Sequence, residues 1–243
     1  MIITSEIAEV LGIFVADGCL QDNYICVWGN ITEDRDYYNS IVCPLFSKVL
    51  NKKILAHEKK SNSVYGFYVC GKDAVNFFRR FGMINNKTYL VNVPKEILDS
   101  NDKGVISSFL RGFADCDGGI SLLRRKGSYS SFNKEFHTYP RIDLRSVSPK
   151  LVTGLSFLLK KLSICHTLWV EKRRRSNESD ISRITIRGIG RVEKWMELIG
   201  FNNPAQSSRY SVWKKFKFCP VRTNLEQRKR MLNGSLDPYL LYH

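Results

Sequence analysis

The sequence has no long apolar run and no cluster of metal-binding side chains. None of its hydrophobic stretches approaches the roughly 18 residues that a membrane helix requires. The N-terminus lacks the basic region followed by an apolar segment that marks a secretion signal. The seven cysteines and four histidines are scattered, without a CxxC pair. This argues against a zinc site and favours reduced thiols. These absences predict an intracellular protein, in the cytoplasm, nucleoid or an organelle matrix, with no membrane association.

Positive charge is in excess, and it is unevenly placed along the chain. Lys and Arg outnumber Asp and Glu by 38 to 23, which gives a formal net charge of +15. The first 108 residues are electrically neutral, so residues 109–243 carry the whole excess. Basic proteins of this size commonly bind nucleic acid, with anionic membranes and acidic partners as alternatives. With 43% hydrophobic residues, the chain can fold as one large domain or two medium ones.

Two segments of the chain resemble each other. EIAEVLGIFVADGC at residues 6–19 and VISSFLRGFADCDGG at residues 105–119 align on Asp17 and Asp117. Each is followed by the pattern of two strands, a helix, two strands and a helix, allowing one weakly signalled strand per copy. The second copy is longer, and its extra residues fit the polar stretch 122–139, which predicts a long hairpin or loop. The sequence therefore predicts an α+β fold made of two similar αββαββα units.

Each unit begins with a helix that carries two small residues four positions apart. These are Gly12 and Ala16 in the first copy, and Gly112 and Cys116 in the second. Residues at this spacing share one helix face, so another backbone can approach closely there. We expect the two helices to pack against each other as the seam between the repeats. The apolar residues around the two strips are Leu11, Phe14, Val15, Phe109, Leu110 and Phe113.

Asp17 and Asp117 are each followed by glycine and are predicted at the C-termini of the two helices. Gly18 and Gly118 would let the chain leave each helix in a left-handed conformation. Carboxylates are electrostatically disfavoured at a helix C-terminus, and a divalent cation such as Mg²⁺ would relieve two of them held together. A single Asp-Gly after a helix is most often a surface turn, but the doubled motif favours a metal site. Asp115 is predicted to be structural or a cap.

LGIFVADG and LRGFADCDG resemble the two motifs of single-chain LAGLIDADG homing endonucleases, and the resemblance covers roughly residues 5–215. It implies two αββαββα subdomains, with the motif helices at their interface and two antiparallel sheets that grip a long DNA site. It also implies Mg²⁺-dependent cleavage of both strands across the minor groove. The last acidic residue of each motif binds metal in this family, which assigns that role to Asp17 and Asp117. We include Gly18 and Gly118 in the same metal site.

Members of this family commonly place a lysine after the last helix of a repeat. Lys87 corresponds to it in the first repeat and is predicted to be catalytic, whereas the second repeat offers Gln206 or Arg209 and no aligned lysine. The resemblance divides the chain into a first repeat (1–90), a linker (91–104), a second repeat (105–215) and a basic C-terminal extension (216–243). The extension could add phosphate contacts or be a solvated tail.

Strand patterns in the second repeat predict a basic face. RITIR and RIDLR alternate charged or polar residues with apolar ones, so that one face packs on helices and the other can reach DNA. A sheet with one hydrated face is the alternative interpretation. Four aromatic residues of the first repeat, Tyr24, Trp28, Tyr65 and Phe67, are predicted to be mostly core. The candidate DNA-binding residues are Arg124, Arg125, Arg141, Arg145, Lys172, Arg173, Arg174, Arg175, Arg183 and Arg187.

The sequence supports three functions. The first is a site-specific, Mg²⁺-dependent double-strand DNA endonuclease that acts as a monomer. The second is a maturase that binds intron RNA on the same scaffold, and the third is a DNA-binding protein without catalysis. The presence of both Asp17 and Asp117 favours the endonuclease, since a pure binder gains nothing from two adjacent acids near phosphate. The ends of the sequence lack the splicing residues of an intein, which predicts a free-standing, intron-encoded protein.

Overall fold

The computed structural model describes residues 2–85, 89–124, 137–173 and 179–241. The first repeat begins with a helix that leads into a strand hairpin, and it continues through a second helical segment and a second pair of strands to a last helix. A π-helical turn, Tyr38–Val42, joins two of the helices. The elements of this repeat are α1 Ser5–Asp17, β1 Gly18–Leu20, β2 Tyr24–Asn30, α2 Arg35–Tyr37, α3 Cys43–Leu50, β3 His57–Lys59, β4 Val64–Cys70 and α4 Lys72–Arg80.

The second repeat follows the same order after a linker that contains α5, Lys95–Asp99. Its elements are α6 Lys103–Asp117, β5 Gly118–Arg124, β6 His137–Ser146, α7 Pro149–Lys161, β7 Thr167–Glu171, β8 Ile181–Arg187 and α8 Ile189–Leu198. Two further helices complete the chain, α9 Pro204–Phe216 and α10 Leu225–Leu232. The predicted αββαββα order is confirmed in both repeats.

Each repeat contributes one four-stranded antiparallel sheet. The strand orders are β1-β2-β4-β3 and β5-β6-β8-β7, so the two sheets are topologically identical. Gly18 pairs with Val27 and Gly118 with Leu144, which means that each motif helix leads directly into an edge strand. The predicted long hairpin corresponds to β5 and β6, which pair with each other, and the residues between them lie outside the described ranges.

Local sequence explains where the motif helices begin. The Thr4 side chain accepts a hydrogen bond from the backbone N–H of Ile7 at 3.3 Å and caps α1. The Asp102 carboxylate accepts from the N–H of Gly104 at 2.7 Å and caps α6. Such caps satisfy donors that have no partner within the helix, and an acidic cap also complements the helix dipole.

The prediction of a left-handed exit at the two motif glycines is wrong. Gly18 has φ −75° and Gly118 has φ −123°, both within the range of any residue. Glycine is required at these two positions because a side chain would have no room, and not because of the backbone conformation. A Cβ on Gly18 would lie 2.3 Å from Cδ2 of Phe14, and a Cβ on Gly118 would lie 2.7 Å from Cδ2 of Leu144. The chain therefore turns from helix to strand without room for a side chain.

The two motif helices pack with their backbones in direct contact, as the small-residue strips predict. A Cβ on Gly12 would lie 2.2 Å from the carbonyl oxygen of Phe109, and a Cβ on Gly112 would lie 2.3 Å from that of Glu9. The predicted apolar residues around the strips are all buried, and one hydrophobic core extends through both repeats. The seam is thus part of the core of the protein.

The C-terminal extension is folded, so its interpretation as a solvated tail is wrong. Val212, Cys219 and Met231 are buried together in a small second core formed by α9, α10 and the segment between them. Arg228 is fully buried, and Lys229 forms an ion pair with Asp36 of the first repeat at 2.8 Å. The extension therefore contacts both repeats. Within the described ranges, the helices are too short or too polar to cross a bilayer.

Candidate active site at the repeat seam

Asp17 and Asp117 are the last residues of α1 and α6, and the structure brings them to the same end of the seam. The thiol of Cys116 donates a hydrogen bond to the Asp17 carboxylate. Burial raises the pKa of this thiol well above its ordinary value, and the charges of Asp17 and Asp117 act in the same direction. Both carboxylates therefore lie close to one protonated thiol, and both residues are only partly buried.

A cavity of about 360 Å³ opens beside Asp117. Arg145 lines the same cavity, and it lies one position beyond the Gly118–Leu144 pair of the β5–β6 ladder. Gly18, at the end of the other motif helix, also lines it. The cavity thus places a guanidinium beside the acidic end of the seam, where an anionic ligand would be attracted.

The side chains at the seam fit a hard divalent cation better than zinc. Among the described residues there is no group of three or more His, Cys, Asp or Glu side chains that could hold a metal ion. Zinc sites need three or four protein ligands. Mg²⁺ is commonly held by one or two carboxylates, with water and phosphate oxygens completing its octahedron. Asp17 and Asp117 match this second donor set.

Asp115 is structural, as predicted. It is buried, and its two carboxylate oxygens accept hydrogen bonds from the backbone N–H groups of Asn202 and Asn203, each at 3.0 Å. Burial raises its pKa to about 7, against the opposing effect of these two hydrogen bonds. Asp115 therefore stabilises the turn that leads into α9. This structural role differs from the metal-binding role predicted for Asp117.

A largely buried ion pair that crosses the seam is not predicted by the sequence. Arg111 of α6 donates to both carboxylate oxygens of Glu9 in α1, at 2.6 and 3.2 Å. Arg111 also donates to the carbonyl of Ile199, and the Asn202 side chain donates to Glu9. A signal was present in the alignment of the repeats, because Arg111 occupies the position of apolar Leu11. The pair fixes the register of the two motif helices.

The second sheet has the alternating faces that the sequence predicts. Its apolar residues Ile142, Leu144, Ile184 and Ile186 are fully buried. On the opposite face, Trp169 donates to the hydroxyl of Thr185 at 3.0 Å, and this hydroxyl donates to Asp143 at 2.8 Å. These hydrogen bonds hold the polar side chains of this face in place through contacts within the protein.

The arginines of this face differ in their surroundings. Arg141 forms an ion pair with Asp143 at 2.5 Å, and Arg183 donates to Glu171 at 2.7 Å. Arg145 and Arg187 are exposed to solvent. Of the predicted contact residues on the two central strands, Arg145 and Arg187 are therefore the most accessible to an external ligand.

Several predicted site residues lie at or beyond the edges of the described ranges. Lys172 is exposed and pairs with Asp180 at 2.5 Å, and Arg173 is exposed beside it. Arg124 is the last residue of β5, and only its backbone position is described. The residues outside the described ranges are Lys87, Arg125, Arg174 and Arg175.

The prediction for the four aromatic residues of the first repeat is correct for two of them. Tyr65 and Phe67 are buried, whereas Tyr24 is 40% exposed and Trp28 is half-buried. In β2, buried Ile25 and Val27 alternate with these two residues, which therefore lie on the outer face of the first sheet. Strand alternation decides their placement, and it overrides the general preference of aromatic residues for the core.

Gln206 and Arg209 lie together beside the start of β5. The Gln206 side-chain oxygen accepts hydrogen bonds from the N–H of Ile120 at 3.1 Å and from Arg209 at 3.2 Å. A Cβ on Gly119 would lie 2.8 Å from the same oxygen. Gln206 thus covers the start of the strand that follows Asp117.

A family model described as "LAGLIDADG-like domain" matches residues 104–200. Among curated proteins, the replication factor C small subunit of Methanocaldococcus jannaschii is 28% identical over 81% of this chain, and an A-type ATP synthase subunit from Pyrococcus abyssi is 26% identical over 79%. The chain spans only 9% and 17% of the lengths of these two relatives.

The fold is similar to solved structures of homing endonucleases. A mesophilic variant of the homing endonuclease I-DmoI has a TM-score of 0.54 at 13% identity, covering 81% of this chain and 95% of its own. The LAGLIDADG homing endonuclease I-LtrWI, bound to target DNA, has a TM-score of 0.57 at 13% identity, covering 88% and 89%. Residues 104–200 therefore match the LAGLIDADG-like domain, and the fold of the chain is that of the single-chain LAGLIDADG homing endonucleases.

Proposed function

We propose that this protein is a site-specific endonuclease of duplex DNA, which binds a divalent cation, Mg²⁺, between Asp17 and Asp117. The observation that carries the proposal is the position of these carboxylates, one from each repeat, beside the single thiol of Cys116 at the end of the seam. Structures of I-DmoI in complex with DNA and either Mn or Ca have the same fold. The match of the second motif to the LAGLIDADG-like domain also supports the proposal.

The proposed chemistry depends on the divalent cation that the two aspartates would hold. A bound divalent cation near a phosphate activates water and stabilises the leaving oxygen. The chain's part is to fix the two carboxylates, which it does through backbone contact at Gly12 and Gly112 and through the buried Glu9–Arg111 pair. Cys116, protonated because its pKa is raised, donates to Asp17 and orients it. Arg145, which lines the cavity beside Asp117, would contact a phosphate oxygen.

The second sheet would supply much of the grip on DNA. We assign phosphate or base contacts first to Arg145, Arg187 and Arg173, which are exposed. Arg141 and Arg183 would contact DNA only by exchanging or sharing their carboxylate partners. Both halves of the site are present in one chain, so we propose that the protein cleaves as a monomer. Lys87 and the remaining predicted arginines stay predictions.

The test is cleavage by variants that keep the shape of the aspartates and remove their charge. Asp17→Asn and Asp117→Asn should each abolish double-strand cleavage in Mg²⁺ while DNA binding remains. Asp22→Asn is the matched control, because Asp22 is an exposed residue that pairs with Arg79 at 3.3 Å on the surface of the first repeat. Target DNA is obtained by selection from a duplex library. Cutting at the wild-type rate by either seam variant would refute the assignment.

A further inference from the structure

The two sheets have the same topology, but their outer faces, which lie opposite the buried apolar residues, carry different side chains. Each motif glycine pairs with the second strand of its sheet, and this pairing identifies the equivalent positions in the two repeats. Arg141, Arg145, Arg183 and Arg187 of the second sheet correspond to Tyr24, Trp28, Gly66 and Cys70 of the first. The first sheet therefore has no basic residue at any of these four positions.

Aromatic rings take the place of the arginines on the outer face of the first sheet. Trp28 in β2 and His57 in β3 both pair with Gly66, which lies between them in β4. A Cβ on Gly66 would lie 3.0 Å from Cε3 of Trp28, so the glycine leaves room for the indole ring. The His57 ring contacts Trp28 and Tyr68 edge to face, with centroids 5.2 and 5.5 Å apart. Tyr68 is 57% exposed and Tyr24, on the same side of the sheet, is 40% exposed. We call Tyr24, Trp28, His57 and Tyr68 the aromatic face.

Both outer faces begin at the candidate active site, because β1 follows Asp17 directly and β5 follows Asp117. Under the proposed function, a duplex held at these two carboxylates extends over both faces. The outer positions of β1–β4, all of which lie in the described range, include Lys59 and no other Lys, Arg, Asp or Glu. Attraction between charges therefore contributes less to binding on the first sheet than on the second. A contiguous exposed apolar surface of this kind is typical of a binding site for a partner with apolar groups.

We propose that the aromatic face recognises thymine methyl groups in the half of the DNA target that the first repeat binds. Base edges in the major groove present hydrogen-bond donors, acceptors and one apolar group, which is the C5-methyl of thymine. Exposed rings would gain from burying this methyl group, because apolar surface on both sides leaves water. The second sheet, with arginines at the equivalent positions, would read its half through charge-assisted hydrogen bonds. The inference rests on the proposed function, since it requires one duplex that spans both repeats.

The first experiment removes methyl groups from the DNA and leaves the protein unchanged. A duplex target is selected from a library by binding to the full chain without a divalent cation. All thymines of one half are then replaced by uracil, which keeps the base pair and lacks the C5-methyl group, and a second duplex carries the same change in the other half. One half should lose affinity about fourfold for each contacted methyl group, and the other should change by less than about twofold. Equal effects in both halves, or no effect in either, overturn the proposal.

The second experiment assigns the sensitive half of the target to the first repeat. Tyr68→Ala should reduce the ratio of the affinities for thymine and uracil in that half by about fourfold or more, since at least one methyl contact is lost. Tyr239→Ala is the matched control and should keep the ratio, because Tyr239 lies in the C-terminal extension and is 56% exposed. An unchanged ratio in Tyr68→Ala overturns the proposal. Binding without cleavage refutes the endonuclease alone, since the uracil comparison measures binding, and a chain that binds no duplex refutes both.

Discussion

Replacing Gly12 or Gly112 with alanine will force the two motif helices apart. The added Cβ would lie 2.2 Å from the carbonyl oxygen of Phe109 in the first case and 2.3 Å from that of Glu9 in the second. Backbone atoms on both sides of the contact cannot relax by changing a rotamer, so the helices themselves must move. Overpacking of this kind costs about 1–3 kcal/mol of the free energy of unfolding.

The assay is urea and thermal unfolding of Gly12→Ala and Gly112→Ala. For a chain of this size, a loss of 1–3 kcal/mol lowers Tm by about 2–12 °C. The control is Gly190→Ala in α8, where a Cβ would meet no atom within 4 Å. The same substitution should there raise the free energy of unfolding by about 0.5–1 kcal/mol, because alanine favours helix. The seam variants should therefore be less stable than the wild type, and Gly190→Ala should be more stable.

The double variant gives a stricter test of the same geometry. Once one alanine has moved the helices apart, the second meets less resistance, so the combined loss should be smaller than the sum of the two. Seam variants that are as stable as the wild type would refute close backbone packing. In cleavage assays, a displacement of about 1 Å at the carboxylates should lower the rate on the order of a hundredfold while DNA binding changes little.

Three further predictions concern the effect of charged residues on stability. The pKa of Asp115 is about 7 in the folded chain against an ordinary value of 3.8. Between about pH 4 and 7, Asp115 has lost its proton in the unfolded chain but keeps it in the folded chain. The free energy of unfolding should therefore fall as pH rises through this range, by on the order of 4 kcal/mol, and then level off. Urea unfolding from pH 4 to 8 checks this, since Asp115→Asn should remove the decline. Arg228→Met should cost about 1–3 kcal/mol, because it removes the buried hydrogen bonds of the guanidinium to Ser208 and to the carbonyl of Thr223. Lys229→Gln, which breaks an exposed pair with Asp36, should change stability by less than about 1 kcal/mol in the same measurement.

Much of the fold could be predicted because its signals are local. The helical periodicity of residues 149–161 and the strand alternation of RITIR each depend on near neighbours, and both elements form as expected. The repeat of the motif then gives the architecture, since two similar helices with small-residue strips pack most simply on each other. Asp17 and Asp117 follow from the same comparison, and the structure brings them to one end of the seam.

The remaining features depend on contacts between distant parts of the chain. Glu9 and Arg111 are 102 residues apart, and no local pattern pairs them. The burial of Arg228 depends on the packing of α10 against α9 and on Glu33 of the first repeat. At Gly18 and Gly118, the sequence correctly indicates a constrained turn but gives the wrong cause. A side chain at these positions is excluded by the lack of space beside Phe14 and Leu144, and that space depends on tertiary packing.

The ion pair across the seam also determines which helices can associate. When the repeats are superposed on their motif aspartates, Glu9 corresponds to Phe109 and Leu11 to Arg111. Two second repeats from different molecules would therefore bury Arg111 against phenylalanine, and two first repeats would bury Glu9 against leucine. A buried charge without its partner costs about 3–5 kcal/mol, and such a dimer would contain two of them. The seam is symmetric in its glycines and asymmetric in its charges, so each half of the chain prefers the other half of its own molecule to a copy of itself.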